Sequence, residues 1–504
     1  MSAPDVSWVA GHDWRMLIGG ELVPAASGRT FACISPIDLR AVCALPDGGE
    51  ADVERAVSAA SAAAHDWARL PVRERAATVR ALAGVLRRHR RELAALDALD
   101  VGNAYSAMLG DVEQGAIGIE LLSEMAFRLA GETLPATNTH LHYTTRAPYG
   151  VVARITAFNH PIMFAAQKIA APLVAGNAVI LKPSEHSCLS ALRMGELLAD
   201  HLPKGLLSVV VGNGGPVPAA LVRHPAVPRI GFIGSEPTGR AIQRAAAEVA
   251  VKHVTLELGG KNAMIVCPDV DIAAAAAGAV KGMNFTGWQS QSCSSTSRLL
   301  VHESVADDVV AAIVERVAAI RIGSPLSPET QMGTLATEAQ YRKSLHHIDL
   351  AAREGARLVT GGAKPAGEAY ERGLYLAPTV FDGVTPDMTI AREEVFGPVL
   401  SVMRWTEERE VVRVANDVRY GLTAAVWTNH LGRGLALAHR LDAGYVWVND
   451  AATHFPGVPF GGYKASGVGH EESVEELVSY TRLKSVNVRA WPSDRQDPSD
   501  GSTN

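Results

Sequence analysis

The sequence carries little of what marks a nucleic-acid-binding, membrane or disulfide-stapled protein. Its 504 residues hold 47 Lys and Arg against 53 Asp and Glu with no basic block, so the electrostatic footprint of a nucleic-acid surface is missing. Cysteine is scarce: five residues, none in a Cys-x-x-Cys pair. That argues against a disulfide framework or a cysteine zinc site and suits a reducing compartment. No stretch offers the roughly eighteen uninterrupted apolar residues of a membrane span. Met1 to Gly11 lacks the cationic and apolar regions of a secretory leader, so the cytoplasm is the expected compartment. No internal repeat is visible. What remains, 47% apolar and 20% charged residues, is an ordinary globular balance. The length exceeds what one core supports and predicts two or three domains. Small molecules or further copies of the chain are the expected partners.

Against this background one thiol stands out. Cys293 lies in Gln291-Ser-Cys-Ser-Ser-Thr-Ser297, and because buried hydroxyls need partners, such a run is expected to line a polar cleft. Just upstream runs Leu256-Glu-Leu-Gly-Gly-Lys261. A thiol beside a carboxylate is what covalent capture of a carbonyl followed by hydrolysis requires: a soft nucleophile, and a base to activate water. Cys33, Cys43, Cys188 and Cys267 sit singly in apolar or loop contexts and read as structural.

Between residues 151 and 258 short β-rich runs alternate with longer amphipathic ones. Strands are expected over 151–157, 178–182, 207–211, 229–233 and 253–257, and helices over 161–174, 187–201, 216–223 and 238–251. Such alternation implies right-handed crossovers and a doubly wound parallel sheet, which binds ligands at the carboxyl ends of its strands. Phe158-Asn-His160, Lys182-Pro-Ser-Glu185 and Gly234-Ser-Glu-Pro-Thr-Gly239 fall there. The last is not Gly-x-Gly-x-x-Gly, and its glycines read equally as turn punctuation. Lys182 and Glu185 suit ribose hydroxyls, although a solvated surface pair looks the same.

After residue 259 a second α/β region is expected. It has helices over 271–283, 304–320 and 338–354, and strands over 298–302, 357–360, 379–381, 399–403, 423–427 and 445–449. The N-terminal part predicts a strand over 15–18 and helices around 53–67 and 73–100. The Ser/Asp/Pro-rich tail, 491–504, is expected to be disordered.

Taken together, Phe158-Asn-His-Pro161, Lys182-Pro-Ser-Glu185, Phe232-Ile-Gly-Ser235, Leu256-Glu-Leu-Gly-Gly-Lys261, Gln291-Ser-Cys293, Glu394-Val-Phe-Gly-Pro398 and Pro459-Phe-Gly-Gly-Tyr-Lys464 with Ser466-Gly467 resemble the aldehyde dehydrogenase superfamily. The resemblance runs from about residue 14 to 489. It implies NAD-dependent oxidation of an aldehyde to its acid, with NADP the less expected cofactor and no metal. Cys293 would be the nucleophile, Glu257 the base, Asn159 the oxyanion donor, and Lys168 with Glu471 a proton relay. Thr156, Phe158, Lys182, Ser184, Glu185, Gly234, Ser235, Leu258, Glu394 and Phe396 would hold the cofactor. His160, Phe164, Gln167, Ser292, His454 and Phe460 would line the substrate tunnel, with Ser294 and Ala452 beside them, and that polar lining favours a polar or aromatic aldehyde.

By the same resemblance the cofactor domain is expected at 1–128 and 149–258, the catalytic domain at 259–463, and a small β oligomerisation extension at 129–148 and 464–490, giving a homodimer or homotetramer. Three departures stand out: Gly287 looks like an extra residue, Ser290 stands where glycine is usual, and His470 where arginine is common. Two other readings are a CoA-acylating semialdehyde dehydrogenase, which commonly lacks the base, and a non-catalytic protein on the same fold, which would lose the thiol or the base.

Overall fold

The computed structural model describes residues 2–489; the expectation for 491–504 lies outside them. Five aliphatic runs form parallel strands in the order Leu207–Val209, Ala178–Lys182, Val151–Ile155, Arg229–Ile233 and His253–Glu257. Every residue of the first four is buried, as a parallel sheet covered by helices on both faces requires. Met16–Ile18 and Glu21–Val23 extend one edge antiparallel. At the other edge Gly467–Val468, from far along the chain, pairs antiparallel with Leu256 and Glu257. Strand order reverses between Val151–Ile155 and Arg229–Ile233, so the loops after these two strands part and leave a crevice at their carboxyl ends.

A second sheet runs Arg357–Thr360, Thr379–Asp382, Val399–Trp405, Arg298–His302, Ala263–Val266, Thr423–Trp427 and Tyr445–Val448, parallel except at its first pair. Its fifth strand, Ala263–Val266, has no counterpart in the sequence pattern. Four residues buried on both faces show no alternation to detect. A third, small sheet joins Thr481–Arg489 to His140–Pro148 in continuous antiparallel register and adds Thr133–Leu134. Among the described residues no helix is long and apolar enough to cross a membrane.

Two helical segments differ from expectation. The helix expected over 73–100 is broken at His89 into Val72–Arg88 and Arg90–Val101. Asp97 and Asp100 on the second piece, instead of facing solvent, are buried and accept the backbone N–H groups of Ile162 and Leu189, each at 3.0 Å. Tyr105–Glu124 forms a 20-residue helix where Gly110, Gly115 and Gly118 mute any helical signal. Gly115 and Gly118 let it lie close against Pro161–Val174: a Cβ at Gly115 would stand 3.0 Å from that of Ala166, and one at Gly118 would stand 2.5 Å from Gln167. This helix carries one wall of the site.

Candidate active site

Glu257 is the last residue of its strand and is held there by pairing with Arg229–Ile233 on one side and Gly467 on the other. It is buried, and Oε1 has no hydrogen-bond partner. Burial pushes its carboxyl up to about 8, against a hydrogen bond from the Cys293 thiol; the nearby Glu471 adds to the rise. The Cys293 thiol is raised in turn, by burial and then by Glu257. At neutral pH the pair therefore keeps its protons, and the carboxyl yields its own as pH rises through about 8.

The loop bearing Cys293 is irregular. Between the helix Ile272–Gly282 and the strand Arg298–His302, Asn284 (φ 53°), Gln289 (φ 52°) and Ser290 (φ 59°) are left-handed without being glycine, a conformation that costs energy and persists only where surroundings over-determine it. Those surroundings are polar and buried. Gln289 Nε2 donates to the carbonyls of Gly102 and Thr334 and to Asn103 Oδ1, and its Oε1 accepts from the Gly333 N–H. Asn262 Nδ2 donates to the carbonyls of Cys293 (2.7 Å) and Ser295 (2.9 Å), while its Oδ1 accepts from the Thr423 N–H. Gly287 (φ 86°) hydrogen-bonds through its backbone to Gln331 and Ala104, and the turn it makes brings the next side chain, Trp288, to the cavity wall.

The φ of Ser290 explains why glycine suits that position. Asn159 lies just past the central strand Val151–Ile155. Its carbonyl accepts from Asn103 Nδ2 at 2.8 Å, and its side-chain amide, though the residue is buried, has no partner among the described residues. Asn103 thus ties the oxyanion candidate to the nucleophile loop through Gln289.

Beside Cys293 opens a cavity of about 310 Å³. All six expected tunnel residues line it, with Lys168, Glu257, Glu471, Ser294 and Ala452. Lys168 and Arg154 each approach Glu471 within 2.8 Å. Burial raises Glu471, but these two cations outweigh it and hold the carboxyl well below the usual range. His470 pairs instead with Glu475 at 3.2 Å, away from that cluster, so the departure at 470 leaves it intact. Gln167 Nε2 donates to the Gln114 carbonyl at 3.0 Å, and His454, at the rim, pairs with Glu472 at 3.0 Å.

The expected cofactor residues lie outside this cavity. Lys182 meets Glu185 at 2.9 Å; burial raises Glu185, and Lys182 more than reverses it, leaving an ionised acceptor whose Oε1 is free. Ser184 shares their loop and Thr156 joins its N–H to the Lys182 carbonyl at 3.0 Å. Gly234 and Ser235 lead into the helix Glu236–Ala247, whose first N–H groups are left uncapped by Ser235 and favour an anion. Leu258 is buried against Gly239, where a Cβ would meet it at 2.8 Å. Glu394 accepts from the Gly260 N–H at 2.9 Å, its carboxyl raised by burial despite that bond. A Cβ on Gly259 would stand 2.2 Å from Glu394 Oε2, so a larger residue there would push the carboxyl aside. Phe396 (φ 56°) sets its ring edge-on to Phe158, centroids 5.9 Å apart.

Five contributors escape the sequence pattern: Asn103, Asp111, Arg154, Asn262 and Gln289. Asp111 alone carried a signal, a carboxylate between the apolar Met108-Leu109 and Val112.

Residues 22–486 match the model of the aldehyde dehydrogenase family. The chain is 43% identical over 462 residues to the aldehyde dehydrogenase tropH of Talaromyces stipitatus, covering 90% of this chain and 89% of that one. It superposes on the P. syringae indole-3-acetaldehyde dehydrogenase AldA in complex with NAD+ and IAA, with TM-score 0.92, 39% identity and coverage of 95% and 97% of the two chains. For betaine aldehyde dehydrogenase of Staphylococcus aureus in complex with NAD+ the values are 0.93, 32%, 97% and 98%.

Proposed function

The chain belongs to the aldehyde dehydrogenase family and is an NAD-dependent oxidoreductase of aldehydes, and we propose that it converts a polar or aromatic aldehyde to the free acid through a thioester on Cys293. The observation that carries this reading is the buried Glu257 carboxyl and the Cys293 thiol set together in the wall of one cavity.

Glu257 takes the thiol proton, and the thiolate adds to the carbonyl carbon. The negative charge that develops on oxygen is met by the Asn159 amide, left free of partners among the described residues, and by the Cys293 N–H. NAD, when bound, accepts the hydride. Once Lys168 and Glu471 have taken the thiol proton away, Glu257 draws a proton from water, the water oxygen attacks the thioester carbon, and the acid leaves with the thiolate restored. Lys168 and Glu471 carry the released proton away from the base.

The residues of the cofactor cleft fit NAD. The free Oε1 of Glu185 suits the ribose 2′-hydroxyl, Lys182 the neighbouring hydroxyl, Gly234 and Ser235 the pyrophosphate, and Glu394 and Phe396 the nicotinamide end. An ionised Glu185 repels a 2′-phosphate. NADH formation across aliphatic, aromatic and hydroxylated aldehydes, with the acid identified in the absence of CoA, tests the reading; a strict CoA requirement would overturn it. The same assay with NADP should give a lower kcat/KM.

The exposed Leu141, Leu483 and Val488 on the sheet of His140–Pro148 and Thr481–Arg489 make this sheet the proposed contact of a dimer or tetramer, because an unpaired edge invites association. A monomer by light scattering would contradict it.

A further inference from the structure

One wall of the cavity is built as a polar unit that catalysis does not use. Asp111 is buried, and its Oδ2 accepts from His160 Nδ1 at 2.9 Å and from Trp288 Nε1 at 3.2 Å. An indole nitrogen only donates and an ionised carboxylate only accepts, so Asp111 holds the His160 proton on Nδ1. The other nitrogen, Nε2, has no partner among the described residues and is not sealed from the cavity that His160 lines. In the neutral ring that nitrogen is an acceptor. The imidazole also stands within an aromatic group, with centroids 5.4 Å from Phe164 and 5.2 Å from Trp288.

We propose that Asp111, His160 and Trp288 form a recognition site for a hydroxyl on the aromatic ring of the aldehyde, with His160 Nε2 accepting its hydrogen bond and Asp111 positioning the imidazole. The inference rests on the aldehyde-oxidising reading and names the substrate class within it. Of the other polar side chains of the tunnel, Gln167 donates to Gln114 while its Oε1 stays unpaired, Ser292 and Ser294 bond each other, and His454 pairs with Glu472; among these His160 is the one oriented by a buried carboxylate that also holds an indole. His160 directly follows Asn159, so their Cα atoms are only about 3.8 Å apart. The aldehyde oxygen and the hydroxyl they address then fit one compact molecule, a hydroxylated ring. An unsubstituted ring leaves the acceptor unpaired once water is expelled, and a site built on such a contact rejects the analogue that lacks the group.

The test uses Cys293→Ala protein, which turns nothing over, titrated calorimetrically with benzaldehyde and its three monohydroxy isomers. At least one isomer is expected to bind about tenfold or more tighter than benzaldehyde. That preference should vanish when His160→Phe is added and shrink with Asp111→Asn, which frees the imidazole to place its proton on Nε2. The ratio is the readout because a merely structural role of Asp111 would weaken all four ligands alike. Isomers all within about threefold of benzaldehyde, or a preference that survives His160→Phe, would overturn the site. If Asp111→Asn fails to fold, the His160→Phe comparison decides alone. A binding preference in a protein that oxidises none of these aldehydes supports the site and sinks the functional reading; oxidation without any preference does the reverse.

Discussion

The base and the nucleophile stand side by side but are held in opposite ways. Glu257 ends a regular strand, its position set by a ladder of backbone hydrogen bonds to both neighbours. Cys293 rides a loop with left-handed Asn284, Gln289 and Ser290, whose shape comes from two side-chain amides, Asn262 reaching in from outside and Gln289 reaching out of the loop to distant carbonyls. A ladder tolerates change at any one side chain. A loop clamped by two amides concentrates its sensitivity in those amides, and they are residues that never touch the reacting atoms.

Removing the groups themselves should have the largest effect. Cys293→Ala should abolish oxidation, and Glu257→Gln should slow thioester hydrolysis by about 10²- to 10⁴-fold, the range of a positioned general base. Single-turnover NADH formation followed by acid release separates the two steps, and full turnover in Cys293→Ala would end the mechanism.

Asn262→Ala probes the clamp. It frees the carbonyls of Cys293 and Ser295 and leaves the Thr423 N–H unpaired, so a loss of about 1–3 kcal/mol in stability is expected. A fall of about 10² in kcat should accompany it, because displaced reacting atoms forfeit their orientation. Denaturant unfolding and steady-state kinetics measure both, and unchanged kcat would mean that the loop holds itself.

A milder test uses pH. Glu257 must be ionised to act, and burial lifts it to about 8. Below that value kcat should therefore fall about tenfold per pH unit, and the rise through about 8 should be missing from the residual activity of Glu257→Gln. A flat profile between pH 6 and 9 would show that another step limits the rate. The smallest effect is expected from Ser290→Gly. It removes the Cβ from a left-handed position at φ 59° and should raise stability by about 1 kcal/mol or less while leaving the regular strand as it was; a loss of stability would show that the Ser290 side chain packs usefully.

The same contrast governs what the sequence discloses. The strands Ala178–Lys182, Arg229–Ile233 and His253–Glu257 and the helix Pro161–Val174 form with the expected bounds, because local periodicity and punctuation specify them. The thiol is legible from its hydroxyl-rich neighbours. The shape of its loop is not, since the partners of Gln289 lie 187 and 45 residues away at Gly102 and Thr334. Asp111 and Asn103 belong to a segment whose glycines conceal the helix, and Arg154 reads as an ordinary strand residue until Glu471, 317 residues on, is seen to meet it.

The short strand Gly467–Val468 has a consequence for the order of events during synthesis. Cys293, Glu257 and Asn159 are all made early, yet the sheet edge beside the base stays open until residue 467 arrives, as does the partner of Lys168 and Arg154 until residue 471. At about 5–20 residues per second the roughly 170 residues between thiol and closing strand take about 9 to 35 s to make. Through that interval the nascent chain carries its nucleophile without a finished cavity around it. A chain interrupted before residue 467 would leave the sheet edge beside the base unpaired and the site incomplete.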